Sequence, residues 1–188
     1  MEKFLEEIFL SEIEFHCKIA IKSYEDLQQT LTTKPSSEFG LRIWTSIQSI
    51  LISCANISKI LNPQTPRDKT LEKEVNDRGE YLRQKLSVTN NSPILSTTLR
   101  NHLEHFDERL HISAKESRIF ILRNIGPSGS IQFRSNSDIS PKSYMANFDQ
   151  KEMRLTFWED EFDIKSMIFE VKALLTATEL SKLGSSRF

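Results

Sequence analysis

The stretch LRIWTSIQSILISCANISKIL, residues 41–61, decides the fold class of this chain. Its apolar side chains recur at steps of three and four residues, the spacing that gathers side chains on one face of an α-helix. We therefore predict a helix from about Glu38 to Leu61, and its broad apolar face places it centrally in the fold. Serine, glutamine, asparagine and charged residues interrupt the stretch, so it is too polar for a membrane span.

Three further segments have the same helical periodicity. The pattern predicts a first helix over about residues 2–32 and a highly charged, peripheral third helix over about residues 67–86. Ser92 and Pro93 are typical of a helix start, and they open a fourth helix that extends to about Ile112. Together these segments predict a mainly α protein, built on an antiparallel four-helix bundle over residues 1–112.

Residues 113–188 are expected to form an extension packed on the bundle, within a single domain overall. The stretch SYMANFDQKEMRLTFWED, residues 143–160, predicts an appended β-hairpin because aromatic and aliphatic residues flank a polar turn at Asp149–Glu152. The serine-rich residues 127–143 are typical of a loop. A C-terminal helix is predicted from about Asp163 to Leu183.

Composition excludes several classes of protein. The formal net charge of -1 argues against a surface coated in basic residues for non-specific nucleic-acid binding, although it allows a local basic cleft. Cys17 and Cys54 form no CxxC pair, which excludes a zinc ribbon or a thioredoxin-like motif and favours buried free thiols. The acidic N-terminal stretch MEKFLEEIFL lacks the features of a signal peptide. We expect a cytoplasmic protein with no membrane segment.

The stretch LRNHLEHFDERLH, residues 99–111, holds three of the four histidines of the chain. One interpretation is an ordinary solvated helix face. Another is a metal site, since His102 and His105 are three residues apart on a helix. Zinc sites need three or four converging ligands, whereas the nearby acids lie mostly on the other flank and the cysteines are predicted to face the core. We therefore predict neither a metal nor another cofactor.

The third interpretation rests on Arg100-Asn101-His102-Leu103-Glu104-His105, an R-x4-H pattern with a polar residue directly after the arginine. This pattern, late in a helical bundle, resembles the HEPN family, whose ribonucleases carry R-x(4–6)-H. The resemblance covers about residues 1–112. It implies a metal-independent endoribonuclease that acts as a toxin or defence effector, as a homodimer. It also implies RNA as substrate and an antitoxin of the nucleotidyltransferase type as a partner.

The resemblance assigns catalytic roles to Arg100, Asn101 and His105. RNA supplies its own nucleophile, the 2′-hydroxyl, so the protein must move protons and stabilise charge on the phosphate. His105 suits proton transfer near neutral pH, Arg100 can hold phosphate oxygens, and Asn101 can orient His105 or the RNA. His102 and Glu104 are candidates for supporting roles. The products would carry a 2′,3′-cyclic phosphate and a 5′-hydroxyl.

The helical spacing of the motif adds an expectation about assembly. Positions five apart lie about 140° around a straight helix, so Arg100 and His105 converge poorly on one phosphate. Either the long arginine side chain wraps round, or two copies of the helix meet across a two-fold axis. The alternative from another class is a non-catalytic HEPN-like helical module that binds RNA or nucleotides or serves in assembly.

Overall fold

The computed structural model describes residues 1–64, 68–116, 121–127 and 144–185. These residues are mainly helical, with one four-stranded sheet. The helices are α1 (Lys3–Thr32), α2 (Phe39–Leu61), α3 (Lys69–Lys85), α4 (Thr97–Glu104), α5 (Phe106–Glu116) and α6 (Ile164–Ser185), with a 3-10 turn at Pro93–Leu95. The strands are β1 (Ile121–Ile125), β2 (Tyr144–Asp149), β3 (Arg154–Phe157) and β4 (Asp160–Asp163). The mainly α class, the hairpin and the C-terminal helix are confirmed, whereas the antiparallel four-helix bundle is not.

The chain divides into two compact units. The first unit comprises Met1–Arg100 together with the chain from Met167 onward, and the second comprises Asn101–Ser166. Most of the C-terminal helix α6 thus belongs to the same unit as α1, α2 and α3. The division expected from sequence, a bundle over residues 1–112 and an extension over 113–188, is a different partition and stays a prediction.

In the first unit, α2 is the central helix, as its broad apolar face predicts. It packs along α1, and it also contacts α3 and the 3-10 turn. Both cysteines lie in this core as free thiols, and burial raises the pKa of each to about 12. The prediction of buried free thiols is therefore confirmed. The fully buried side chains shared by α1 and α2 include Leu10, Ile13, Cys17, Leu27, Ile43, Ile50 and Ile57.

A buried carboxylate joins α1 to α3. Glu6 accepts a hydrogen bond of 2.5 Å from the Tyr81 hydroxyl and pairs with the Lys85 ammonium at 2.8 Å. Burial opposes the charged form of Glu6, but the bonds from Lys85 and Tyr81 outweigh it and lower the pKa of this carboxyl. The charged α3, which offers only a thin apolar stripe, is therefore held partly by polar contacts.

Helix α3 approaches the end of α2 at a glycine. A Cβ atom added to Gly79 would lie 2.7 Å from Cδ of Pro63 and 3.0 Å from the backbone oxygen of Leu61. One turn further along α3, Arg83 donates a hydrogen bond to the same Leu61 oxygen. Gly79 therefore allows the two backbones to approach, which offsets its poor intrinsic preference for helix.

Replacement of Gly79 by alanine is expected to destabilise the chain by about 1–3 kcal/mol, the usual cost of overpacking. The gain in helix propensity, about 1 kcal/mol, works in the opposite direction. The measurement is the free energy of unfolding from urea titration. In a Pro63→Ala background the ring carbon nearest the new methyl is gone, so Gly79→Ala should cost less there. An equal cost in both backgrounds would contradict the proposed clash.

The second unit is organised by its sheet, whose strand order is β1-β2-β3-β4. Strands β2 and β3 form the predicted antiparallel hairpin, and Asp149 Oδ1 accepts from the backbone N–H groups of Lys151 and Glu152 across the turn. The sequence patterns did not predict β4, which pairs antiparallel with β3. Strand β1 pairs parallel with β2. Phe157 and Trp158 are buried, and Trp158 adopts a positive φ of 55° where the chain turns between β3 and β4.

The predicted fourth helix is not one helix. The 3-10 turn at Pro93–Leu95 precedes α4, and His105 separates α4 from α5. Ser92 caps no helix through its side chain, because its hydroxyl donates to Glu170 at 2.9 Å. The single long helix was inferred from periodicity, and periodicity does not register a one-residue break.

Two remaining predictions concern the membrane and the serine-rich loop. Across the described ranges, no helix is both long enough and apolar enough to cross a membrane. The loop predicted over residues 127–143 lies, from residue 128 onward, outside the described residues.

Candidate functional site

His105 stands at the junction between α4 and α5 in the second unit. Its backbone N–H donates to the Asn101 oxygen at 3.1 Å, and its own oxygen accepts from the Arg109 N–H at 3.0 Å. Helical hydrogen bonding therefore continues on both sides of the break. As a result, Asn101, His105 and Arg109 follow one another at successive turns.

The His105 side chain is 56% exposed, and its Nδ1 lies 3.2 Å from Oε2 of Glu108. With the proton on Nδ1, the ring donates to this carboxylate and presents the Nε2 lone pair. Among the described residues, no group hydrogen-bonds to Nε2. The ring is thus oriented by a carboxylate on one side and open on the other, an arrangement that suits proton transfer to a bound molecule.

Arg100 lies in the first unit and is only 3% exposed. Its Nη1 donates a hydrogen bond of 2.8 Å to the backbone oxygen of Asn62, just beyond the end of α2. Its Nε is buried and has no hydrogen-bond partner within the described part of the chain. The sequence predicts that this guanidinium binds phosphate. In the structure it is hydrogen-bonded to the chain just beyond the end of α2.

His102 is buried, at 1% exposure, and its Nε2 lies 2.7 Å from Oδ2 of Asp160 on β4. The rings of Phe157 and Phe162 pack against the imidazole in edge-to-face arrangements, with ring centroids 5.4 and 6.2 Å away. Its Nδ1 finds no hydrogen-bond partner in the described ranges. A ring enclosed in this way cannot reach a large substrate such as RNA directly, so its contribution to a site would be to hold α4 against the sheet.

Burial is the main cause that lowers the pKa of His102, and the positive charge of Arg109 adds to it. The hydrogen bond and the negative charge of Asp160 act in the opposite direction. Because the net shift is downward, His102 is neutral in the folded protein near pH 7, with its Nε2 proton donated to Asp160.

The lowered pKa of His102 predicts that the protein loses stability on mild acidification. Between the ordinary histidine pKa of about 6.5 and the lower folded value, the unfolded chain binds a proton that the folded chain does not. The free energy of unfolding should therefore fall as the pH drops below about 6.5, by at most about 1.4 kcal/mol per pH unit per proton.

Urea titrations at a series of pH values would measure this slope in the wild type and in His102→Phe. The variant should show a smaller slope between neutral and mildly acidic pH. Some slope should remain, because burial lowers the pKa of His16 as well. Identical slopes would show that His102 does not carry the effect.

Sequence reasoning found His105 and Arg100 but missed the residues that hold them. Glu108 lies in the quoted stretch at i+3 from His105, a spacing that could have signalled the pair. Asp160 and the Asn62 carbonyl are distant in sequence from their partners and had no local signal. Asn101 is half-buried and Glu104 is exposed on the last turn of α4. Their predicted roles, like those of Arg100 and His105, stay predictions.

Arg109, on α5, is exposed. It follows His105 by one helical turn, and its charge acts on His102. Among the described residues, no carboxylate forms an ion pair with its guanidinium. A solvent-facing guanidinium one turn from an exposed histidine can bind an anion such as phosphate.

The two histidines of the HxxH pattern are engaged separately. His102 meets Asp160, and His105 meets Glu108. In the parts of the chain that the structure describes, no three or more histidine, cysteine, aspartate or glutamate side chains gather as they would around a metal ion. This geometry does not support a metal ion shared by His102 and His105.

Comparisons of the chain with protein-family models, with curated proteins and with solved structures found no match.

Proposed function

We propose that this chain is a metal-independent endoribonuclease of the HEPN type, with His105 as its proton-transfer residue. The R-x4-H resemblance suggests the activity. The observation that carries the proposal is the environment of His105, whose exposed ring is oriented through Nδ1 by Glu108 and open at Nε2. A buried or fully engaged histidine at this position would have argued against it.

The proposed reaction uses the RNA's own 2′-hydroxyl as nucleophile. His105 Nε2 accepts the 2′-proton as the 2′-oxygen bonds to phosphorus, and the bond from phosphorus to the 5′-oxygen breaks. The departing 5′-oxygen takes up a proton from solvent or from the protonated imidazole. The products are a 2′,3′-cyclic phosphate and a 5′-hydroxyl, and no redox change or water consumption is involved.

Within this proposal, Arg109 is the residue whose positive charge binds the phosphate of the RNA. Arg100 is buried and bonded to the Asn62 oxygen, which supports a positioning role for it. Arg109 is exposed one turn beyond His105. Asn101, one turn before His105, orients the helix junction or the RNA. His102 and Glu104 keep supporting roles, with His102 acting through its bond to Asp160.

Replacement of Arg109 by glutamine should weaken RNA binding and slow cleavage together, by about tenfold or more, because a charged hydrogen bond to phosphate is worth about 1.5–3 kcal/mol. The folded stability should change little, since the side chain is exposed. The matched variant is Arg100→Gln, which should lower the free energy of unfolding instead. Fluorescence anisotropy with labelled RNA and urea titration measure the two effects. If Arg100→Gln weakened RNA binding and Arg109→Gln lowered the free energy of unfolding instead, Arg100 would be the residue that binds the phosphate.

The biological setting in this proposal comes from the resemblance alone. It comprises a cytoplasmic toxin or defence effector that acts on RNA, forms a homodimer and is paired with an antitoxin of the nucleotidyltransferase type. An antiparallel four-helix bundle as the core of the catalytic fold belongs to the same proposal. Each of these would be tested separately from the chemistry.

The test of the activity is incubation of the purified chain with total RNA in the presence of EDTA. The expected result is cleavage that persists in EDTA and leaves 2′,3′-cyclic phosphate ends, recognised because phosphatase removes the terminal phosphate only after acid opens the ring. Cleavage that requires a divalent metal, or ends with a free 3′-hydroxyl, would overturn the mechanism.

The second candidate is a non-catalytic helical module that binds RNA or nucleotides or serves in assembly. The observation that favours it is the inward placement of Arg100, which a purely structural motif would also explain. In that case His105→Gln would leave RNA binding unchanged and no cleavage would be seen with either protein. Cleavage by the wild type alone would decide for the enzyme.

A further inference from the structure

The turn between β3 and β4 contains a residue that a tight turn does not favour. Phe157 pairs with Asp160 in register, so Trp158 and Glu159 alone connect the two strands. Trp158 adopts a φ of 55°, in the left-handed region, where two-residue hairpin turns favour glycine, asparagine or aspartate. A bulky aromatic residue in this conformation is strained, and such strain persists only where tertiary contacts compensate for it.

The compensating contacts of Trp158 hold its ring inside the second unit. The residue is only 6% exposed, although it lies in a turn. Its ring packs against Phe106 and Phe157, with ring centroids 6.4 and 6.0 Å away, within the range of aromatic pairs. Its backbone N–H donates to the Met145 oxygen at 2.7 Å. Because Phe106 is the first residue of α5 and directly follows His105, the Trp158 ring reaches from the sheet to the start of that helix.

The same part of the sheet also holds the chain on the other side of His105. Three residues before it, His102 lies 2.7 Å from Asp160 and packs against Phe162. Helical hydrogen bonds continue through the junction. In such a helix His102 and Phe106 lie about 40° apart and face the sheet together, whereas His105 lies about 60–100° away from them. The β3–β4 turn and its strands therefore contact the chain on both sides of His105 and leave its ring exposed.

The pair between His105 and Glu108 spans the junction that these contacts hold. His105 precedes α5 and Glu108 lies in its first turn, so the distance of 3.2 Å from Nδ1 to Oε2 depends on how α5 begins. An exposed pair of this kind contributes little free energy and does not fix its own geometry. Phe106 stands between the two residues and is half-buried. Its contact with Trp158 therefore limits the movement of the backbone that carries both side chains.

We infer that Trp158 is a positioning residue for His105. Its ring fixes Phe106, Phe106 fixes the first turn of α5, and that turn sets the orientation of the imidazole toward Glu108. The strained turn directs a large ring toward α5, which a glycine at this position could not do. The role rests on the proposed ribonuclease function, because the orientation of the ring matters only if His105 transfers a proton. Trp158 lies outside residues 1–112, so the HEPN resemblance assigns it no role.

The first test compares Trp158→Ala, Trp158→Gly and Trp158→Phe in single-turnover cleavage of RNA with EDTA present. A range of protein concentrations separates the maximal rate from the half-saturating concentration. The alanine and glycine variants should each lower the maximal rate by about tenfold to a hundredfold, the effect of a small displacement of a catalytic group. The half-saturating concentration should stay unchanged, because Arg109 is untouched. Trp158→Phe retains an aromatic ring and should recover most of the rate.

The alanine and glycine variants also separate the ring from the backbone strain. Glycine adopts a positive φ without strain, so Trp158→Gly should unfold at a higher urea concentration than Trp158→Ala. Their cleavage rates should nevertheless be equally low, because both lack the ring. Cleavage rates that followed the stabilities of the two variants would show a general effect on folding and overturn the positioning role.

Hydrogen exchange tests the link from Trp158 to the junction without any activity. The His105 N–H donates to the Asn101 oxygen, and the Arg109 N–H donates to the His105 oxygen. In Trp158→Ala these two amides should exchange about tenfold or more faster, because local opening becomes easier. Trp44→Ala is the matched control, since it removes the other tryptophan of the chain from α2 in the first unit. It should leave both exchange rates and the cleavage rate unchanged.

The outcomes distinguish this inference from the proposed function. Cleavage by the wild type that is undiminished in Trp158→Ala and Trp158→Gly would overturn the positioning role and leave the ribonuclease proposal standing. A loss of RNA affinity in place of a loss of maximal rate would also overturn it. If the wild type cleaved no RNA, the ribonuclease proposal would fail. Faster exchange at His105 and Arg109 in Trp158→Ala would then still support the link to the junction, and unchanged exchange would overturn it.

Discussion

Replacement of His105 by glutamine is expected to reduce RNA cleavage by about a hundredfold to ten-thousandfold, the usual contribution of a positioned acid–base group. Glutamine can still donate a hydrogen bond to Glu108, but it cannot accept and release a proton near neutral pH. The change removes the chemistry and retains the polar contact. The measurement is the single-turnover rate on end-labelled RNA in the presence of EDTA.

The loss should be separable from unfolding. His105 is more than half exposed and its pair with Glu108 is a surface contact, worth about 1 kcal/mol or less. The free energy of unfolding and the affinity for RNA should therefore stay close to those of the wild type. Glu108→Gln is the matched variant, and it should slow cleavage less because it alters only the orientation of the ring. Unchanged cleavage in His105→Gln would assign the reaction to another group.

Replacement of Phe148 by alanine is expected to destabilise the second unit by about 3–5 kcal/mol, the range found when a buried phenylalanine is truncated. Phe148 is fully buried on β2, between Ile125 of β1 and Leu155 of β3 in register. Its backbone oxygen also accepts from the Gly126 N–H at 2.9 Å. The cavity left by the ring would lie at the middle of the four-stranded sheet, where neighbouring strands cannot collapse to fill it.

Phe169→Ala provides the matched comparison, because it removes the same side chain from a largely exposed position on α6. It should change the free energy of unfolding by less than about 0.5 kcal/mol, because the ring of Phe169 is already 73% exposed to solvent. Urea titration followed by circular dichroism and by tryptophan fluorescence gives both values. A similar loss for the two variants would contradict the placement of Phe148 in a core.

Prediction and structure agree most closely for elements whose sequence signals lie within the element itself. Helices α1, α2 and α6 begin and end within a few residues of the predicted bounds, and the hairpin turn follows Asp149. In each, the hydrophobic period or the turn chemistry lies within a few residues along the chain. Gly79 shows the limit of such reasoning: its sequence context suggests only a weak point in α3, whereas the structure shows a close approach to Pro63.

The candidate site was found from sequence only in part. A motif and a helical stretch identified Arg100 and His105, and an i,i+3 spacing could have added Glu108. What each side chain does depends on residues far away: Arg100 bonds an oxygen 38 positions earlier, and His102 meets a carboxylate 58 positions later. The break at His105 and the parallel pairing of β1 with β2 have no local signature either.

Hydrophobic periodicity, turn residues and cap residues depend on residues that are close together in sequence. They can therefore be recognised in the sequence alone, and they predicted the helices and the hairpin and located the motif on a helix. Which polar side chains are buried and which side chains stay open to solvent depend on long-range packing. That packing turned Arg100 inward and left His105, Arg109, Phe4, Phe15 and Phe169 exposed. Burial is a property of the assembled fold, because it is set by all the elements that surround a residue.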